Sequence, residues 1–459
     1  MMKSALAFLN NLNPDFVKLL KGSGLVMGFK VLGAIAGFAI TYVVTKNFGE
    51  DGYGVFELCL TLLTILSLFS RAGIDSALVR FIPEFRDKKD QHSLNKVYAL
   101  TMMIALPVSV VFSVGLYLFA DQVAVYFGSE NLATSFRYVS IVIPFSTWLG
   151  LNSEAFRGMT NMIAYSFYQR GTVLVIAIGA IYYLISQDFA AENTPFVAFG
   201  IGVISLSIMA GIAAPLKLKN LTSAKPSDEH HVDKKEEKAH KVFKISSLSV
   251  VAFPMLLSTT MFIIMNWTDT IMIGIYLEES EVGVYRLAFK VAALVTFAQF
   301  AVSSIAAPMF SSYKTNNDMQ GMKKITRNIG FLNIIISTPI FLVIIIFPNF
   351  ILGIFGEGYS NGGSLPLTIL ATGSIINAIC GPVMYLLNMT GREEDVRNIL
   401  IVSSIANFVL NLIFIPRFGL LGAACATALS TILWNVLGVI KIKQVYGFLS
   451  IPNPFEKIS

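Results

Sequence analysis

Runs of about twenty apolar residues recur along almost the whole chain, and a chain built this way has few folds open to it. In hydrocarbon every backbone N–H and C=O needs a partner inside the protein, so such runs become helices able to cross a core of roughly 30 Å. Composition agrees: 55% of the 459 residues are hydrophobic and only 14% are charged, against about 25% charged in an ordinary soluble domain. About twelve spans are predicted, at 24–45, 54–82, 97–119, 132–155, 163–186, 196–216, 245–276, 283–310, 326–347, 364–389, 396–415 and 420–440.

Lysine and arginine test this count, because they collect in cytoplasmic connections. One set of connections holds Lys18, Lys21, Arg86, Lys88, Lys89, Arg157, Lys314, Lys323, Arg392 and Lys441; the alternate set holds only Lys46 and Arg417, with acids from Glu50 and Asp51 to Glu278, Glu279 and Glu357. An even number of spans with both termini cytoplasmic satisfies the pattern. Segment 217–244 carries eight lysines and five acids without apolar periodicity, and reads as a solvated linker. The expected organisation is an interfacial segment 1–23, a six-helix lobe 24–216, the linker 217–244, a second six-helix lobe 245–440 and a cytoplasmic tail 441–459. Asn13 and Pro14 are placed to start a short amphipathic surface helix over Phe16–Leu20, ahead of the first span.

The halves repeat. Gly54-Val55-Phe56 recurs as Gly283-Val284-Tyr285, Pro83 and Pro308 fall near the ends of the following helices, and Arg157-Gly158-Met159-Thr160 resembles Asn388-Met389-Thr390-Gly391. Two six-helix bundles of the same orientation are parallel repeats, which place a substrate site between them near the midplane.

Cys59, Cys380 and Cys425 lie far apart in apolar segments, while His92, His230, His231 and His240 lie in predicted loops. No metal site, cofactor or disulfide framework is expected from such an arrangement. No GxxxxGK phosphate loop is present, and no nucleic-acid partner is expected.

Lys21-Gly-Ser-Gly entering the first span, FGEDGYGVF (Phe48–Phe56), SRAGIDSALVRFIPEF (Ser70–Phe85) and LNMTGREE (Leu387–Glu394) resemble the polysaccharide flippases of the multidrug/oligosaccharidyl-lipid/polysaccharide exporter superfamily. The resemblance covers essentially the whole chain. It implies two lobes that alternate around a central cavity, and a cargo of undecaprenyl or dolichyl pyrophosphate sugars carried across the cytoplasmic (inner) membrane. Membrane lipids, and a glycan polymerase or glycosyltransferases, are the partners it implies. Drug exporters of the superfamily commonly carry a carboxylate in the first helix; residues 24–45 have none and contain Lys30. A cation-coupled multidrug or metabolite exporter is therefore the alternative reading.

Ionisable side chains inside spans are expensive and are functional candidates. On a helix of roughly 100° per residue, Glu57, Thr61, Thr64, Leu68, Arg71 and Asp75 form one stripe about 80° wide, expected to line the cavity. Arg71 and Asp75 either pair with each other or meet ligand. Arg286 and Lys290 share a face as like charges, which favours an anionic cargo unless Arg286 snorkels outward. Lys30 either reaches the inner headgroups or faces the cavity. Candidate cavity residues are thus Lys30, Arg71, Asp75, Lys290, Asn266 and Gln299, with Asn377, Asn407, Asn411, Trp148 and Trp267 as further sugar contacts or ordinary packing residues. Glu57 and Arg286 are equivalent positions near the outside, proposed to form a gate that Asp269 shares.

A membrane enzyme of glycan assembly is the rival from another class. It needs a sizeable loop to present acid, base or nucleophile, whereas the longest predicted external connection, 348–363, has Glu357 as its only charged residue. No catalytic residue is expected.

Overall fold

A computed structural model describes residues 14–187, 189, 192–219, 221 and 265–452. Among them all regular structure is helical. Helix α1 (Pro14–Arg71) is interrupted at Gly49, whose φ of 68° and ψ of −160° suit glycine alone. Thr41 Oγ1 and Tyr53 OH lie 3.5 Å apart although twelve residues separate them, where a straight helix would hold them about 18 Å apart. Helix α1 is thus a hairpin of two spans.

The first lobe continues with α2 (Asp75–Asp87), α3 (Gln91–Leu118), α4 (Ala120–Tyr126), α5 (Leu132–Gly158), α6 (Met162–Phe167), α7 (Arg170–Ser186) and α8 (Thr194–Lys219). In the second lobe, α9 (265–276) is followed by α10 (Glu279–Ala292), α11 (Leu294–Thr315), α12 (Met319–Ile346), α13 (Pro348–Gly353), α14 (Glu357–Cys380), α15 (Val383–Met389) and α16 (Glu393–Tyr446). Helix α16 repeats the hairpin device at Gly419, with φ 57° and ψ −135°. The chain is an all-helical membrane protein of about twelve spans in two six-helix lobes, as the hydropathy pattern predicts.

Several boundaries differ from the sequence reading. Helix α1 runs unbroken from Pro14, so the segment expected to lie on the surface is continuous with the first span. The second span breaks after Arg71, where Ala72 and Gly73 have φ of 48° and 73°, and the eighth breaks at Ala293, between α10 and α11. The tenth breaks at Gly381-Pro382, because proline cannot donate to the preceding turn. Connection 348–363 is largely helix, formed by α13 and the start of α14. Residues 217–219 complete α8 and 441–446 complete α16; most of linker 217–244, the first part of span 245–276 and residues 453–459 lie outside the described residues, as does the Lys30 side chain.

The basic connections share one end of the bundle. Arg86 of α2 donates to Thr160 Oγ1 at 3.2 Å, and Gln91 reaches the Leu218 carbonyl at 3.1 Å; in the other lobe Lys441 pairs with Asp395 at 2.8 Å. At the opposite, acidic end the lobes meet. One buried core runs through the N lobe into Val282–Val295, Tyr359–Ala378 and Ile415–Ala424 of the C lobe, whereas Phe310, Met322, Leu386 and Ile442 at the basic end belong to a separate core. The lobes are therefore fused by packing at the acidic end.

Gly419→Ala tests the hairpin geometry. It is expected to cost about 1–3 kcal/mol, because a Cβ is strained at that φ and ψ, and to lower the melting temperature in detergent. Phe418→Ala at its exposed neighbour is the control and should leave the melting temperature nearly unchanged; equal melting of the two variants would refute the strain.

Candidate functional site

The lobes approach through glycine. The second arm of α1 and α10 cross at Gly54 and Gly283: a Cβ on Gly283 would lie 2.6 Å from the Glu50 carbonyl oxygen and 3.0 Å from Gly54 N, and one on Gly54 would overlap the Glu279 carbonyl. Only residues without side chains allow that backbone contact. Tyr359 of α14 then donates its hydroxyl to the Gly49 carbonyl at 2.9 Å, and its ring meets Tyr53 edge-on at 6.3 Å. The carbonyl freed by the α1 break thus has a partner supplied by the other lobe.

One turn deeper lies a cluster of charge. Arg286 Nε donates to Glu57 Oε2 at 3.1 Å, and Tyr53 OH donates to Glu57 Oε1 at 2.9 Å. Lys290 Nζ sits 3.7 Å from Glu57 Oε1 and donates to Thr41 Oγ1 at 2.6 Å, to Tyr53 OH at 3.4 Å and to the Gly37 carbonyl at 3.4 Å. Glu57 is buried, with a side chain only 4% exposed, while Lys290 retains 30%. Arg286 also stacks over Trp267, its guanidinium carbon 4.4 Å from the ring centroid. The expected like-charge pair is therefore not bare: both cations close on one carboxylate, leaving the triad with a net charge of +1. Arg286 is held inward by that carboxylate and by Trp267 instead of snorkelling.

The cluster caps a cavity of about 300 Å3 between the lobes, which extends toward the basic end along Gly33, Ala34, Leu294 and Phe297. Leu60 separates it from a second cavity of about 320 Å3 inside the N lobe, lined by Thr64, Ser67, Arg71, Ser146, Ser153, Glu154, Tyr168 and Gln169. Arg71 pairs with Asp75 at 3.3 Å across the helix break and lies against Gly150 of α5, where a Cβ would come 2.8 Å from Nη1. Glu154 pairs with Arg157 at 3.3 Å. The polar stripe thus divides, with Glu57 at the central cavity and Thr64 and Arg71 at the N-lobe cavity.

The remaining candidates are dispersed. Asp269 is fully buried within the C lobe and accepts hydrogen bonds from Tyr285 OH, from Thr427 Oγ1 at 3.1 Å and from Thr270 N at 2.9 Å. Gln299 donates to the Gly381 carbonyl at 3.2 Å and, with Asn377, Tyr385 and Trp434, lines a C-lobe pocket of about 100 Å3 at the α14 break. Asn411 donates to Asn407 at 3.1 Å, both buried on α16. Trp148 packs on Gly211 of α8, and Asn266 is half-buried on α9. Tyr53, Thr41 and Tyr359 look like ordinary helix residues in the sequence, which carries no signal for their place in this cluster. A glycine at one position in both halves is the available sequence signal of the close approach.

Residues 19–314 match the sequence pattern of a family described as polysaccharide biosynthesis protein, and residues 254–413 match the pattern named MatE. "Probable low-salt glycan biosynthesis flippase Agl15" of Haloferax volcanii is 26% identical over 438 residues, 93% of this chain and 84% of that protein. Among solved structures, "Lipid II flippase MurJ, inward closed conformation" superposes with a TM-score of 0.71 at 15% identity, covering 91% of this chain and 87% of that one. An inward-facing multidrug resistance MATE family transporter of the MOP superfamily superposes at 0.69 with 13% identity, covering 90% and 98%. These two likenesses establish the fold.

Removing Glu57 strands two cations, a change expected to cost about 3–5 kcal/mol. Glu57→Arg or Arg286→Glu alone should therefore loosen the acidic end, read, with the native cysteines replaced, as faster thiol labelling of a cysteine introduced at Leu58, which is 1% exposed and packs on Gly274 of the other lobe. The double exchange should restore slow labelling, and a double variant as reactive as either single one would remove the pair from any role in closure.

Proposed function

The chain belongs to the polysaccharide biosynthesis protein family, and from that premise we propose that it flips a lipid pyrophosphate-linked oligosaccharide from the inner to the outer leaflet of the cytoplasmic membrane by alternating access. The observation that carries the mechanism is the carboxylate shared between lobes. Glu57 on α1 and the cations Arg286 and Lys290 on α10 join the lobes where the central cavity ends. A pyrophosphate entering that cavity competes with Glu57 for the same guanidinium and ammonium groups. Each contact the anion takes from Glu57 weakens the closure, so cargo binding loosens the acidic end. With no anion bound, the buried carboxylate is best satisfied with the lobes together.

Sidedness follows from the basic connections: the end bearing Arg86, Lys314 and Lys441 is cytoplasmic, with both termini on that side, and the cavity loads from there. Arg71 and the hydroxyls of the N-lobe cavity hold polar parts of the headgroup, with Gln299 and Asn377 on the C-lobe side. Lys30 and Asn266 belong to the same path, and Asp269 holds Tyr285 and so steadies α10 beneath Arg286. The protein moves its cargo without altering it; glycosyltransferases and a polymerase supply and consume the glycan. The relative named as a glycan biosynthesis flippase supports this cargo, and the absence of a carboxylate from residues 24–45 weighs against a cation-coupled drug exporter.

Two negative charges moving outward across 100 mV, inside negative, gain about 4–5 kcal/mol. In proteoliposomes loaded with a fluorescent lipid-linked oligosaccharide, flipping should accelerate when a potassium diffusion potential of that sign is imposed. A rate indifferent to the potential would remove the electrical drive; no flipping together with raised drug efflux in cells would replace this reading by the drug-exporter one.

A further inference from the structure

A third hollow, of about 680 Å3, runs between the first arm of α1 and α7. Leu32, Ile35 and Val175 on its rim are 62%, 59% and 60% exposed, so in a bilayer they meet hydrocarbon. Its floor is a contact between glycines: a Cβ on Gly171 would lie 3.0 Å from Gly33 Cα. The hollow adjoins both inner cavities. Gly33 and Leu174 line it and the central cavity alike, and Gln169 lines it and the N-lobe cavity that holds Arg71. Cationic groups thus lie on the inner side of one thin wall, Arg71 in the N-lobe cavity and Arg286 with Lys290 at the end of the central one, and an apolar hollow lies on its membrane side.

We propose that this crevice holds the polyprenyl chain of the cargo while the pyrophosphate and glycan occupy the two inner cavities beside their cationic groups, an inference that rests on the function proposed above. A headgroup drawn into the protein stays tied to a chain that water rejects, so the chain must leave the chamber through a wall. The wall at Gly33 and Gly171 is the thinnest kind, backbone against backbone with no side chain to displace. Separating α1 from α7 at that seam joins the chamber to the crevice, and the apolar rim keeps the chain out of water throughout. An acyl chain of an ordinary phospholipid fits the rim equally well, but carries no reason for the crevice to adjoin chambers containing Arg71, Arg286 and Lys290.

The test uses the full chain in phosphatidylglycerol nanodiscs with a polyprenyl phosphate bearing a diazirine along its chain. Light should attach the probe within 29–39 and 171–178, and unlabelled polyprenyl phosphate should reduce that labelling about tenfold. Leu32→Trp and Val175→Trp fill the crevice from its exposed rim, where neither disturbs the core; each should lower labelling and flipping together while the melting temperature stays unchanged. Labelling that unlabelled polyprenyl phosphate does not reduce would mean an ordinary bilayer lipid, and would overturn the proposal. Displaceable labelling confined to other helices would overturn the crevice and leave the flippase reading standing; no displaceable labelling anywhere would overturn both.

Discussion

A carboxylate with a side chain 4% exposed, deep in a membrane protein, sets the terms for everything around it. Glu57 cannot remain charged there without partners, and its strongest partners, Arg286 and Lys290, belong to the other lobe. The union of the lobes is thus a condition of a buried charge as well as of shape. Because an ion pair in low dielectric is both strong and replaceable by another anion, the contact that holds the lobes together is also one that an acidic ligand can undo.

The repeat explains why that contact stands where it does. Gly54 and Gly283 occupy the same place in two similar halves, and their backbones meet on the line between the lobes. Three residues along from each, on the same helix face, stand Glu57 and Arg286. The duplicated frame supplied the register, and opposite charge on its two copies supplied the attraction. No comparable fusion exists at the basic end among the described residues, where Phe310, Met322 and Ile442 pack in a core of their own.

Much of this was legible in the residues. Hydropathy located the spans, because the bilayer leaves a backbone almost no choice, and the alternation of basic and acidic connections counted them. The breaks were less legible: Ala293 interrupts an apolar run with no change in hydropathy, since it is set by tertiary packing and not by the lipid, whereas Arg71, Gly73 and Asp75 do mark the break at Ala72-Gly73. The pairing of Glu57 with Arg286 was readable from the repeat, yet the position of Lys290 was not. Periodicity places Lys290 on the face of Arg286, but only the folded hairpin of α1 brings Thr41, Tyr53 and Glu57 around its ammonium group. Asp269 shows the converse, a buried charge that helix position alone cannot distinguish from an interface residue and that the fold satisfies inside one lobe with Tyr285 and Thr427.

The hydrogen bond from Tyr359 to the Gly49 carbonyl is an exchangeable latch. At Gly49 the helix has given up its own ladder and the glycine is exposed, so when Tyr359 withdraws, a solvent molecule can take its place on that oxygen. Such an exchange costs little, because one hydrogen bond replaces another. The hairpin tip therefore fixes the register of the lobes without resisting their separation, and the resistance sits one turn deeper, where the charge is out of reach of water.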